Sequence, residues 1–309
     1  MLELRSAAAK GIRRLSGFAA LQNLVRAIEA DRYLTNSDCF RQRAAALDRL
    51  DAFHLDSEAS YGGARADHVA LHERARELQA ELEAANSRLY ESIRDSIRSG
   101  AGRDALLRCT AEVVDKGMKQ TNAPEDGDSY DCLDELLSGV FRFVVPDKPK
   151  IDLPSEMVAY QPTPARHIFE MIRRAKFTPK DVFVDLGSGL GHVPLLIAIC
   201  TSARAIGIDL EPAYVECARH SAEELRLHSA TFLTHDARDA DLSSGTVFYL
   251  YTPFRGAILR TVLDRLRAEA DTRAIRVCSF GPCTTIVMAE AWLTLDPNDS
   301  GRISVFRSR

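Results

Sequence analysis

Between residues 4 and 30 the apolar side chains Ile12, Leu15, Phe18, Leu21, Val25 and Ile28 recur every three or four positions with arginines between them, the stripe of an amphipathic helix. The basic positions Arg5, Lys10, Arg13 and Arg14 also suit a membrane-surface or transit segment; packing into a core is the favoured expectation. Asn36, Ser37 and Asp38 are helix-start residues for a second helix to about Leu50, and the Tyr61-Gly62-Gly63 turn separates it from a third. From Asp67 to Arg98 the positions Leu71, Ala75, Leu78, Leu82, Ala85, Leu89, Ile93 and Ile97 alternate by three and four, which predicts a helix about 45 to 50 Å long. That seam suits an intramolecular helical cap, with a homodimerisation arm as the alternative. Ser99-Gly100-Ala101-Gly102 breaks it, a further helix runs from about Asp104 to Lys116, and Glu125, Asp126, Asp128 and Asp131 form an acidic loop that reads as a solvated face.

The grammar changes after Val145 to Pro154, where three prolines in ten residues mark a boundary between a helical domain, 1–145, and a second domain, 155–309. Short β-rich runs then alternate with helical ones: strands at 181–186, 204–209, 230–235, 246–251 and 274–280, helices at 191–201, 212–226 and 256–269. This is the order of a doubly wound α/β sheet with helices on both faces. Two last runs, 291–295 and 302–307, flank the turn residues Asp296 to Gly301 and suit an antiparallel hairpin.

Composition excludes more than it identifies. A chain of 309 residues with 46% hydrophobic and 27% charged content has room for two globular domains. Its net charge of -4 argues against nucleic acid as a partner. No apolar stretch approaches the roughly 20 residues of a membrane span, and the amino end lacks a secretion signal's apolar core, so a cytoplasmic location is expected. The 7 cysteines are scattered without a CxxC pair and read as free thiols. His68 and His72 share a helical face but lack a third ligand and the HExxH pattern, so no metal is expected.

The informative segment is Asp181 to His192. An apolar strand ends near Asp185 and turns through Gly187, Gly189 and Gly191 into a helix, presenting bare backbone at the carboxyl edge of the sheet, where open α/β sheets bind ligands. A nicotinamide or flavin fingerprint is GxGxxG; here the third glycine comes one residue early and an acid stands two residues before the first. Asp185 would repel a pyrophosphate and attract an ammonium group. Asp209 ends the second strand, where a carboxylate takes ribose hydroxyls, and Asp236 follows the third, beside the Ala237 N–H, as an acceptor for an exocyclic adenine amine. An acid each for an amino-acid tail, a ribose and a base points to S-adenosylmethionine, with S-adenosylhomocysteine as its spent form.

With the strand-four run Phe248 to Phe254 in the expected order, residues 160 to 309 resemble a class I, Rossmann-like S-adenosylmethionine-dependent methyltransferase. Val184 to Val193, preceded by Tyr160-Gln161-Pro162-Thr163-Pro164, is similar to the telomeric-silencing-type histone lysine methyltransferases and related protein-lysine methyltransferases. The resemblance implies that Tyr160 and Thr163 lie on a loop closing over the cofactor; Thr163 also suits a helix cap. The implied cofactor set adds Ser188, Leu210 and Tyr251 to the residues already named.

Thr252-Pro253-Phe254 departs from the Asp/Asn-Pro-Pro-aromatic run of nucleobase amine methyltransferases, and the long basic tract of the histone enzymes is absent. The expected function is methyl transfer to an amine or oxygen of a protein, lysine included, or of a specialised metabolite; the alternative is a cofactor-binding scaffold or sensor without catalysis. His192 is the candidate general base, and otherwise a helix-start residue packing beside the cofactor. Tyr249, Tyr251, Thr252 and Phe254 are candidates for the acceptor pocket, one of the two tyrosines being sheet core. Cys283 is a weak candidate nucleophile.

Overall fold

The computed structural model describes residues 18–57, 66–117, 130–144, 146, 151, 154–297 and 302–309. The first half of the first predicted helix, the Tyr61 turn, the acidic loop up to Asp128 and most of the proline-rich boundary lie outside the described residues. The described residues fall into two compact units, one within Met1–Ile93 and Leu106–Gly139, the other within Arg94–Ala105 and Val140–Arg309.

Helices α1 (Phe18–Ala30), α2 (Phe40–Ser57), α3 (Ala66–Arg98), α4 (Gly102–Gly117) and α5 (Cys132–Phe141) precede the sheet. In the first unit Leu21, Leu24, Val25 and Ile28 of α1 pack with Leu47 and Leu50 of α2 and with Ala75, Leu78 and Leu82 of α3, so the stripes read from the sequence are core faces. Arg43 is fully buried among them. It donates to the carbonyls of Leu34 and Asn36 and to Asn86 Oδ1, which ties the α1–α2 connection to α3 and meets most of the demand of a buried guanidinium. Helix α5 has no counterpart in the sequence reading.

The second unit is built on a seven-stranded sheet of order β3-β2-β1-β4-β5-β7-β6. Its strands are β1 (Val182–Leu186), β2 (Arg204–Asp209), β3 (Ala230–Thr234), β4 (Val247–Tyr251), β5 (Arg276–Phe280), β6 (Leu293–Leu295) and β7 (Ser304–Ser308). Strands β1 to β5 are parallel, and β6–β7 form the antiparallel hairpin, with β7 against β5. Helices α6 (Ala165–Ala175), α7 (His192–Cys200), α8 (Pro212–Glu224) and α9 (Gly256–Ala270) connect or flank the strands, and the short α10 (Thr284–Met288) was not expected.

Every residue of β1 is buried, as a central strand covered on both faces requires. Val184, Leu186, Phe248 and Leu250 pack on Val262, Leu263 and Leu266 of α9, each such side chain contributing on the order of 2 kcal/mol by its burial. Strand order reverses between β1 and β4, so the carboxyl ends of β1, β2 and β4 open one crevice. Among the described residues no helix is long and apolar enough to cross a membrane.

Candidate active site

The crevice is shaped first by backbone. After β1 the chain passes through Gly187 (φ 90°), Gly189 (φ 51°) and Gly191 (φ 86°), all left-handed. A Cβ on Gly189 would also run into the Tyr160 ring, so that position needs glycine twice over. The Gly187 and Ser188 N–H groups donate to the Ile208 carbonyl at 2.8 and 3.0 Å, pinning the turn to β2. Asp209 finishes the job: its Oδ2 accepts the Gly189 N–H at 2.7 Å and its Oδ1 the Glu211 N–H at 2.9 Å. Glu211 itself is the N-cap of α8, accepting from Ala213 N–H, and is buried. Leu210 between them is partly exposed.

Asp185 sits in β1 opposite Gly207 of β2 and Tyr249 of β4 and is only 3% exposed. Its carboxylate takes no hydrogen bond or ion pair from the described residues, and burial together with the neighbouring Asp209 charge holds it well above the usual carboxylate range. Burial likewise raises Asp209, against the pull of its amide donors. Two acids side by side, with the buried Ser188 hydroxyl of the same turn also without a partner among the described residues, make a site that asks for a cationic ligand bearing hydrogen-bond donors. An ammonium-bearing nucleoside such as S-adenosylmethionine meets that demand; a pyrophosphate does not.

Asp236 lies just beyond β3 and is already paired. It accepts the Arg238 N–H at 2.8 Å and a bidentate guanidinium contact from the same residue, with NH2 to Oδ2 at 2.7 Å, and this Arg238 hydrogen bonding lowers its pKa. Arg238 stands two positions from Asp236, yet nothing in the local pattern marked it as the acid's partner. Ala237 is buried and its carbonyl accepts from Arg265 at 3.1 Å.

Residues 156–163 run along the crevice as a strap. Val158 N–H donates to the Pro253 carbonyl, Met157 bridges Phe254, and the Glu156 carboxylate accepts the N–H groups of Ala257 and Ile258 at the start of α9. Glu156 is a helix-capping acid about a hundred residues from its helix, beyond the reach of local sequence spacing. Further along, Tyr160 OH lies 3.0 Å from His192 Nδ1, and Thr163 Oγ1 lies 2.9 Å from Tyr249 OH in the buried interior. Thr163 caps no helix: the residue before α6 is Pro164, which makes no side-chain cap bond.

His192 opens α7, rests 4.4 Å from the Phe143 ring and 6.2 Å from that of Phe141, and is driven by burial down to about 4, hence neutral. On the β4 side Tyr249 is buried against Phe183, whereas Tyr251 is partly exposed and stacks on Phe280 at 4.7 Å. Phe254 belongs to the hydrophobic core. Thr252 adopts φ 37°, a costly conformation for a β-branched residue, and turns its Oγ1 toward Phe280 O and Cys283 N–H. Cys283 is buried with its Sγ toward the Leu250 and Phe280 carbonyls, and burial raises its pKa, so it stays a thiol.

Comparison with known proteins points the same way. Residues 155–246 match the family described as "Histone methylation protein DOT1". Over 132 residues the chain is 33% identical to the "Histone-lysine N-methyltransferase, H3 lysine-79 specific" of Cryptococcus neoformans, a match covering 42% of this chain and 19% of that protein. It is 31% identical over 77 residues to the "Ribosomal protein L11 methyltransferase" of Burkholderia mallei, covering 25% of this chain and 26% of the relative. The chain thus spans about a fifth to a quarter of the length of these relatives. Among solved structures, an RNA methyltransferase from Salinibacter ruber in complex with S-adenosyl-L-homocysteine aligns with TM-score 0.35 and 27% identity, over 48% of this chain and 92% of that one. Strand order, glycine turn and family match agree: residues 155–246 are similar to the DOT1 family, and they lie in a seven-stranded sheet with the class I, Rossmann-like S-adenosylmethionine-dependent methyltransferase fold.

Proposed function

We propose that the protein methylates a lysine side-chain amine of a protein substrate. The observation that carries the cofactor part of this reading is the buried Asp185 carboxylate, without a partner among the described residues and beside Asp209, at the glycine turn. In this reading Asp185 holds the cofactor's ammonium group. Asp209 takes the ribose hydroxyls on the lone pairs left free by Gly189 and Glu211, and Asp236 with the Ala237 N–H meets the adenine edge. Gly187, Ser188, Gly191 and Leu210 shape the floor, and Tyr160 and Thr163 form the cover. When bound, S-adenosylmethionine supplies a methyl group already activated by its sulfonium charge.

The chain's own tasks are then to orient the acceptor and exclude water. Tyr251, backed by Phe280, offers the acceptor amine an aromatic face. Phe254 and Thr252 act from behind, fixing the turn that presents Tyr251. A neutral His192 with a pKa near 4 is poorly matched to removing a proton from an alkylammonium, so the acceptor amine arrives deprotonated from solvent. The protein acceptor is favoured by two relatives, both named for protein substrates.

Incubation of the full chain with methyl-labelled S-adenosylmethionine and a cell extract tests this. Label should appear on protein, resist mild base and hydroxylamine, and elute as methyl-lysine after acid hydrolysis. Label confined to small molecules, or lost as an ester, overturns the acceptor assignment.

A further inference from the structure

Tyr160 and His192 are joined by one hydrogen bond of 3.0 Å, and their rings lie nearly parallel, 25° apart. On one side the Tyr160 ring covers Gly189 so closely that a methyl group there would strike it, and it leans on Tyr214 at 5.2 Å. On the other side His192 is walled by Phe141 and Phe143, which belong to the same compact unit. Among the described residues the imidazole has a single hydrogen-bond partner, the Tyr160 hydroxyl. Apolar walls keep the ring neutral, and a neutral imidazole with its proton on Nε2 accepts at Nδ1, the atom that Tyr160 reaches.

On the strength of the cofactor reading above, we propose that His192 is a positioning residue that latches Tyr160 over the glycine turn, so that the tyrosine ring covers the bound cofactor. The latch removes the rotamer freedom that an unanchored tyrosine would lose on each binding event. It also accounts for a histidine at the first position of α7 with no carboxylate or cation beside it among the described residues. The near end of the strap, held to Pro253 by Val158 and to α9 by Glu156, then needs only Tyr160 and Thr163 fixed to lie in one place.

The test uses the full-length chain with His192→Phe, His192→Asn, Tyr160→Phe and the double variant His192→Phe/Tyr160→Phe. S-adenosylhomocysteine affinity is measured by calorimetry, and initial rates against S-adenosylmethionine with methylated extract protein as readout. His192→Phe keeps an aromatic ring against Phe141 and Phe143 but removes the acceptor. It and Tyr160→Phe should each weaken affinity and raise KM about three- to tenfold, with kcat at saturating cofactor falling far less. The double variant should bind no more weakly than either single one. His192→Asn, whose side-chain carbonyl falls near the position of Nδ1, should recover most of the loss. Additive losses, or a fall in kcat with KM unchanged in His192→Phe, overturn the latch. If His192→Phe fails to fold, the contrast between Tyr160→Phe and His192→Asn decides. Failure of the wild-type chain to bind S-adenosylhomocysteine would instead remove the cofactor reading on which the latch rests.

Discussion

Asp209 accepts the Gly189 N–H at 2.7 Å, so the acid assigned to the ribose also holds the glycine turn in shape. Replacing it therefore affects two things at once. Asp209→Ala should weaken S-adenosylhomocysteine binding by about 2 to 4 kcal/mol through lost charge-assisted hydrogen bonds. It should also lower the melting temperature without ligand, because the amides of Gly189 and Glu211 lose their acceptor. Calorimetry and a thermal melt on one preparation check both. Asp209→Asn, which keeps one side-chain acceptor, should fall between.

Asp185 makes binding depend on pH. Without ligand its carboxyl is held well above the ordinary range by burial and by Asp209, and a bound ammonium group would pull it back down. Cofactor binding should therefore release protons, and affinity should rise with pH until the unliganded carboxyl ionises. Calorimetry in two buffers of different ionisation enthalpy reads the released protons directly. Because the folded-state pKa lies above the unfolded one, Asp185 stabilises the unliganded fold at low pH, and that contribution is lost as pH rises through the raised value. Asp185→Asn should accordingly raise the unliganded melting temperature at pH 8 while costing at least about tenfold in affinity.

This part of the site was readable in the sequence because the chemistry is local there. Asp185, Gly187, Gly189 and Gly191 lie within seven residues of one another, Asp209 ends one β-rich run and Asp236 lies just beyond another. The succession of strands and helices and the closing hairpin followed from the alternation of such runs with helical ones, whereas the spatial order of the strands comes from the structure. What escaped the reading acts across the chain: Glu156 on α9, Phe141 and Phe143 on His192, Phe280 behind Tyr251. Nothing in the spacing around either partner records such contacts. Helix α5 is a different case: Leu133, Leu136, Leu137 and Val140 have helical spacing and are buried, but Asp131, Asp134, Glu135 and Gly139 make the stretch look like loop.

His192 should make stability fall on acidification. Burial depresses its folded-state pKa from 6.5 to about 4, so its contribution is complete above 6.5 and is lost as pH drops toward 4, where the unfolded chain takes the proton first. Between pH 7 and pH 5 the wild type should lose about 2 kcal/mol more than His192→Phe, which has no proton to bind. Urea unfolding of the two proteins at both pH values measures the difference. Equal losses would mean that the imidazole is hydrated in the native state.

Cutting the chain near Leu153 should do more than remove a helical domain. The strands, the glycine turn and the strap all lie after that point, so a fragment from 153 keeps every acid assigned to the cofactor. It loses, however, segments that pack within the same compact unit as the sheet. Phe141 and Phe143 wall His192, the Phe141 carbonyl accepts from Ser221 of α8, and Arg94, itself buried, reaches Glu224 at 2.5 Å and the Val140 carbonyl at 2.6 Å. Their removal exposes one apolar face of α7 and α8 to water and leaves Glu224 without its partner. The fragment should therefore melt well below the full chain and bind S-adenosylhomocysteine more weakly, with the deficit concentrated at His192 and Tyr160. A fragment starting at Arg94 restores Arg94, Phe141 and Phe143 and should recover binding before it recovers turnover. Equal melting temperatures and affinities for the fragment from 153 and the full chain would show that these contacts contribute nothing to the site.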